Sequence, residues 1–176
     1  PGRVNLIGEH TDYQNGYVCP MALEKYTSMA ASYKTAPKGF DPVVRCTSKD
    51  FAKGSFSITN QMAPLEREDP SSWMNYLIGV VNEYLPIMLK LSISVDINLT
   101  IVSNVPFGSG LSSSAALETA MAKLMEGIIR LQMTHDLTDN IVKVVEMIGT
   151  LILMKIDCQL LDNRNVHSDI RITAFD

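Results

Sequence analysis

Long apolar runs are missing from this sequence. The densest one, around residues 151–154, falls far short of the roughly 20 residues that a membrane-crossing helix needs, so no membrane partner is expected. Basic residues are scarce as well. Fifteen Lys and Arg stand against 19 Asp and Glu, for a net charge of -4 and a pI near 5.3. That leaves no basic face for nucleic acid, which we exclude as a partner. The three cysteines, Cys19, Cys46 and Cys158, are odd in number and too widely spaced for a disulfide framework, and none pairs with histidine at zinc spacing. They read as reduced, mostly buried thiols of an intracellular, cytoplasmic protein. There is no internal repeat and no low-complexity tract. No targeting segment precedes the first apolar stretch. The sequence opens on Pro1 rather than methionine, so we expect a piece of a longer chain, and that absence excludes nothing.

What is present is an ordinary globular composition, with 46% hydrophobic and 19% charged residues over 176 positions. That suffices for one buried core. Alternation and β-branched residues predict strands over about 25–33, 43–47 and 55–59, and over 93–102, where Ile93, Val95, Ile97, Leu99 and Ile101 share one face. Asp-Pro-Ser-Ser at 69–72 starts a helix in which Trp73, Tyr76, Leu77, Val80, Val81 and Tyr84 recur at helical spacing up to a break at Pro86. A second helix is predicted from Leu111 to about Arg130 and a third over 138–147, with strands at 151–156 and 170–175. Strands in hairpin-like runs followed by helices predict an α+β fold.

Two stretches carry chemistry. The first, GRVNLIGEHTDY at 2–13, sets Arg3, Glu9, His10 and Asp12 around a short apolar strand. Each has a plain reading: a structural histidine, a turn-shaping aspartate, an Arg-Glu pair of little net value. Together they offer acceptors, a mixed donor-acceptor and a guanidinium. That set suits a polyhydroxylated ligand beside a phosphate.

The second stretch, VPFGSGLSSSAALE at 105–118, joins a strand to a helix. Gly108 and Gly110 allow close backbone approach, and Ser112, Ser113 and Ser114 add hydroxyls to unpaired helix N–H groups, which together make an anion site. The plainer alternative is a serine-capped helix behind a tight turn. Three familiar patterns do not match. No lysine follows Gly110, as a P-loop requires. Ser113 stands where a dinucleotide fingerprint has its third glycine. No second glycine completes a nucleophile elbow. A sugar site next to a phosphate site points to a sugar kinase.

The first stretch closely resembles the galactokinase signature. PFGSGLSSSAALE at 106–118 resembles the nucleotide loop of the GHMP small-molecule kinases. NGYVCPMAL at 15–23 and SWMNY at 72–76 also resemble galactokinase, so the likeness covers most of residues 1–126 in the right order. It implies an incomplete two-layer α+β GHMP-kinase N-terminal domain, akin to the second domain of ribosomal protein S5, over residues 1–176, with the C-terminal GHMP domain absent. It implies transfer of the ATP γ-phosphate to the 1-hydroxyl of galactose by a monomer. Glu9, His10 and Asp12 would bind the sugar, and Arg3 would act catalytically beside the transferred phosphoryl. Gly108, Ser109, Gly110, Leu111, Ser112, Ser113 and Ser114 would hold the nucleotide, with Trp73 and Tyr76 bordering adenine. Ser114 and, by rough alignment, Glu146 would meet Mg2+. Trp73 and Tyr76 equally fit the core stripe of their helix.

The sequence also departs from that family. Galactokinases continue from the helix corresponding to Glu146 through a Met-Asp-Gln segment that carries a catalytic aspartate, then a strand ending Ile-Asp-Cys. Here Gly149 and Thr150 lead directly into LILMKIDC at 151–158, and Asp157 matches the strand aspartate. The resemblance therefore implies an internal deletion and a chain inactive as it stands. The alternative is a galactose- and ATP-binding sensor or regulatory paralogue.

Overall fold

The computed structural model describes residues 1–8, 11, 14, 16–59 and 72–133. In chain order these form β1 (Arg3–Asn5), β2 (Pro20–Ala22), β3 (Thr27–Thr35), β4 (Val43–Ser48), β5 (Gly54–Ser57), α1 (Met74–Lys90), β6 (Val95–Ser103) and α2 (Ser113–Gln132). β1 and β2 make a small antiparallel ribbon. The other four strands form one mixed sheet in the order β3-β6-β4-β5. β6 runs antiparallel to β3 and parallel to β4. A parallel pair cannot be closed by a hairpin; the chain between β4 and β6 makes the crossover with β5 and α1.

Period-two alternation decides which face of the sheet is covered. Val95, Ile97, Leu99 and Ile101 of β6 are buried while Asn98, Thr100 and Val102 are exposed. Val44 and Cys46 of β4 join the same buried cluster. Leu77, Val81 and Tyr84 of α1 and Met121, Met125 and Ile129 of α2 complete it. Both helices thus lie on one face and the other is left to solvent, which is the expected two-layer α+β arrangement. Tyr84 ties the helices together: its hydroxyl donates to the Ala122 carbonyl at 3.0 Å in the buried layer between them. Burial, and then the nearby charge of Glu126, push the phenol's pKa far above its ordinary value.

Several boundaries differ from expectation. α1 does not stop at Pro86 but runs on to Lys90. Proline removes one main-chain bond, yet Pro86 is exposed while Leu85, Ile87 and Met88 are buried, and their burial holds the last turn in place. α2 starts at Ser113 rather than Leu111, because Ser112 is left-handed (φ 61°, ψ 42°) and cannot belong to the helix. β3 and β5 are each displaced by a residue or two from their predicted spans. Cys46 is buried as expected, but Cys19 is exposed. The predicted helix at 138–147, the strands at 151–156 and 170–175, and Cys158 lie outside the described residues.

Candidate active site

The loop between β6 and α2 owes its shape to residues that tolerate positive φ. Gly108 and Gly110 sit at φ 68° and 73°, a region that costs L-residues about 1–2 kcal/mol. A Cβ at either glycine would meet no protein atom within 4 Å. The space beside their backbone is therefore open to a ligand. Ser109 braces the turn, its hydroxyl donating to the Pro106 carbonyl at 2.8 Å.

Ser112, the residue just before α2, makes no side-chain cap, and the first turn of the helix carries no acidic residue. Its hydroxyl donates instead to the Arg3 carbonyl, at 3.4 Å. The plainer alternative of a serine-capped helix is thus not what the chain builds. The N-terminal end of α2 keeps its partial positive charge and its hydroxyls, Ser113 and Ser114, for something else.

The opening motif is fastened to this loop through its backbone. Arg3 N donates to Leu111 O at 3.1 Å. Gly2 allows the approach, since a Cβ there would stand 2.9 Å from Leu111 O and 3.1 Å from a Val105 methyl. Beyond β1 the chain returns through Leu6 N to Cys19 O (2.9 Å) and Cys19 N to Ile7 O (3.0 Å). Gly8, at φ 95°, has the Tyr17 carbonyl where a Cβ would go. Thr11 pins the return, donating from its hydroxyl to Gly8 O at 2.8 Å and accepting from Gly16 N at 2.8 Å. Glu9, His10 and Asp12 fall within this span by sequence and lie outside the described residues, as does Glu146.

On the other side of the loop is a cavity of about 300 Å³. Its lining joins Ser113 and Ser114 of α2 to Trp73 and Tyr76 at the start of α1, and adds Phe51 from the β4–β5 turn and Phe107 from the loop. Phe51 stacks on Trp73 (centroids 5.6 Å apart, planes at 26°) and meets Phe107 edge-on (5.5 Å, 74°). Two hydroxyls of the lining are paired: Thr27 and Ser103 bond each other at 2.9 Å, and Ser103 also accepts from Val105 N.

The structure places the backbone of Arg3 against Leu111 and Ser112, and sets Trp73 and Tyr76 in one cavity lining with Ser113 and Ser114. Phe51 and Phe107 were missed. Both are isolated aromatics in turns, and only their exposure as large apolar side chains (37% and 73%) hints at a role. No group of three or more His, Cys, Asp or Glu residues among the described residues could hold a metal ion.

Comparison with known proteins agrees with this geometry. Residues 1–33 match the family model of the galactokinase galactose-binding signature, and residues 75–152 match that of the GHMP kinase N-terminal domain. The galactokinase of Chloroflexus aurantiacus is 45% identical over 121 residues, covering 69% of this chain and 28% of the relative. The galactokinase of Roseiflexus is 40% identical over 131 residues, covering 74% and 30%. This chain thus spans less than a third of the length of these curated relatives. The crystal structure of Lactococcus lactis galactokinase complexed with galactose superposes with a TM-score of 0.63 at 26% identity, over 96% of this chain and 38% of that one. The mevalonate kinase of Methanococcus jannaschii, at 18% identity and a TM-score of 0.56 over 90% and 45%, shares the fold. Among the described residues no helix is long and apolar enough to cross a membrane. With its opening strand fastened to its glycine-serine loop and these likenesses over part of the relatives' length, the chain belongs, as a partial member, to the galactokinase family of the GHMP kinases.

Proposed function

We propose that this chain is the sugar- and nucleotide-binding part of a galactokinase, a cytoplasmic monomer that acts on galactose and ATP without nucleic acid or membrane. One observation carries the reading: the galactose signature and the glycine-serine loop meet at Arg3 N to Leu111 O, 3.1 Å. A sugar held by the first would lie beside a phosphate held by the second.

In this reading Glu9, His10 and Asp12 orient the sugar by accepting from and donating to its hydroxyls. Backbone N–H groups from Gly108 to Ser113 and the helix end bind the phosphates. The Arg3 guanidinium balances charge on the phosphoryl group as it moves to the 1-hydroxyl, and positioning with charge stabilisation is most of what such a transfer requires. The loop fits phosphate because the space beside Gly108 and Gly110 is open and no acidic side chain stands in the first turn of α2. A bound Mg2+ would supply charge neutralisation. It suits a site with one protein hydroxyl, Ser114, because this ion keeps several waters and phosphate oxygens as ligands; Glu146 is the second candidate ligand. The missing Met-Asp-Gln segment favours the second reading, a galactose and ATP sensor that binds without transfer.

Calorimetric titration with ATP, ADP and adenosine tests the loop. ATP and ADP should bind and adenosine should bind much more weakly. Gly110→Val should weaken ATP by about an order of magnitude or more by filling the open space beside the backbone, and should lower the melting temperature by a few degrees, because valine is strained at φ 73°. Equal affinity for adenosine and ATP would mean that the loop is only a helix entry.

A further inference from the structure

The face of the sheet turned away from α1 and α2 carries two cations with no counter-charge beside them. Strand register sets their neighbours: Arg45 of β4 stands opposite Ser55 of β5 on one side and Asn98 of β6 on the other. One step along the same face Thr47 stands opposite Thr100, and Lys53, the residue before β5, extends that row. All six side chains are exposed and line one open hollow of about 500 Å³.

Opposite charges across a strand pair stabilise a sheet, yet the positions beside Arg45 hold short neutral residues in a chain with 19 Asp and Glu. Asp96 is the one acidic residue in the four strands of this sheet. Its carboxylate is occupied, accepting from Val43 N at 3.0 Å and lying 4.0 Å from Lys34 Nζ. Among the described residues, the six side chains of the hollow make no hydrogen bond or ion pair of their own. Asn98 is the least expected of them. Asparagine is disfavoured in strands, and this one stands inside β6, which has a strand on each side.

A guanidinium can hold two oxygens of a phosphate while an ammonium meets a third. Hydroxyls and a carboxamide both donate and accept, which matches the hydroxyls of a sugar. The hollow shares no lining residue with the cavity of Trp73 and Phe107. We propose that this hollow on the open sheet face is a sugar-phosphate site, separate from the nucleotide loop. Arg45 and Lys53 take the phosphate, and Thr47, Asn98 and Thr100 take the sugar hydroxyls.

The test titrates the full 15N-labelled chain with glucose 6-phosphate, and in parallel with glucose and with inorganic phosphate, reading heat and amide chemical shifts. Glucose 6-phosphate should bind several-fold more tightly than either component and move the amide signals of residues 45–47, 53–55 and 98–100. Arg45→Gln and Lys53→Gln should each weaken it about fivefold to tenfold, with the melting temperature unchanged because both side chains are exposed. Gly110→Val should leave this binding as it is. Inorganic phosphate binding as tightly as glucose 6-phosphate would mean an anion patch without sugar recognition, and the proposal fails. It fails equally if glucose 6-phosphate does not bind at millimolar concentration, or if its binding survives both substitutions. Loss of that binding in Gly110→Val would move it to the phosphate loop and overturn the proposal too.

Discussion

Tyr84 shows how one side chain can fix the spacing of two elements. Its ring fills the core between α1 and α2, and its hydroxyl reaches the Ala122 carbonyl. Tyr84→Phe keeps the volume and loses the bond, so we expect a loss of about 1 kcal/mol near neutral pH. The pH dependence follows from the raised pKa. Unfolded, the phenol ionises near pH 10; folded, it holds its proton to higher pH. The stabilisation from Tyr84 is therefore complete below about pH 10 and declines as pH rises above it. Urea melts of both proteins at pH 7 and above pH 10 should show the gap between them closing. A gap that stays constant would mean that Tyr84 ionises equally in both states. Ser112 is the other instructive residue. Serine before a helix normally caps it, and nothing local in the sequence distinguishes one that instead adopts a left-handed backbone and bonds Arg3.

At the scale of elements, what local pattern controls was legible and what tertiary packing controls was not. The alternation of β6 and the glycines of the following loop gave both the strand and its turn, because side-chain period and backbone freedom are local properties. Pro86 misled for the opposite reason. Its cost to the helix is local, while the burial of Leu85, Ile87 and Met88 that overrides it depends on the sheet beneath. Pro86→Ala should therefore stabilise the chain by about 1 kcal/mol or more, by returning a main-chain donor to a continuous helix. Thermal unfolding checks this. A lower midpoint would show that the core is fitted to the bend proline imposes. The aromatic slot was half legible: Trp73 and Tyr76 follow from their motif, whereas Phe51 and Phe107 become partners only when the β4–β5 turn folds over the loop.

For the whole molecule, binding and turnover separate. In the proposed function the surfaces for sugar and nucleotide belong to the part this chain spans, but Gly149 and Thr150 lead into the 151–158 segment without the Met-Asp-Gln residues expected of the family. Phosphoryl transfer tolerates the loss of one base better than the loss of positioning. We expect galactose-dependent ATP consumption near background, recovered when that segment and the C-terminal half are supplied. A coupled assay that detects steady galactose 1-phosphate formation by these residues alone would mean that Arg3 and the serine loop suffice. The most direct measurement of the central claim is calorimetric titration of galactose and glucose into the ADP-saturated chain, wild type and Asp12→Ala. Galactose should bind in preference to glucose, and the variant should lose about 1–3 kcal/mol of that affinity with the sugar's partner removed. Equal binding of the two sugars, or an unchanged affinity in Asp12→Ala, would contradict it.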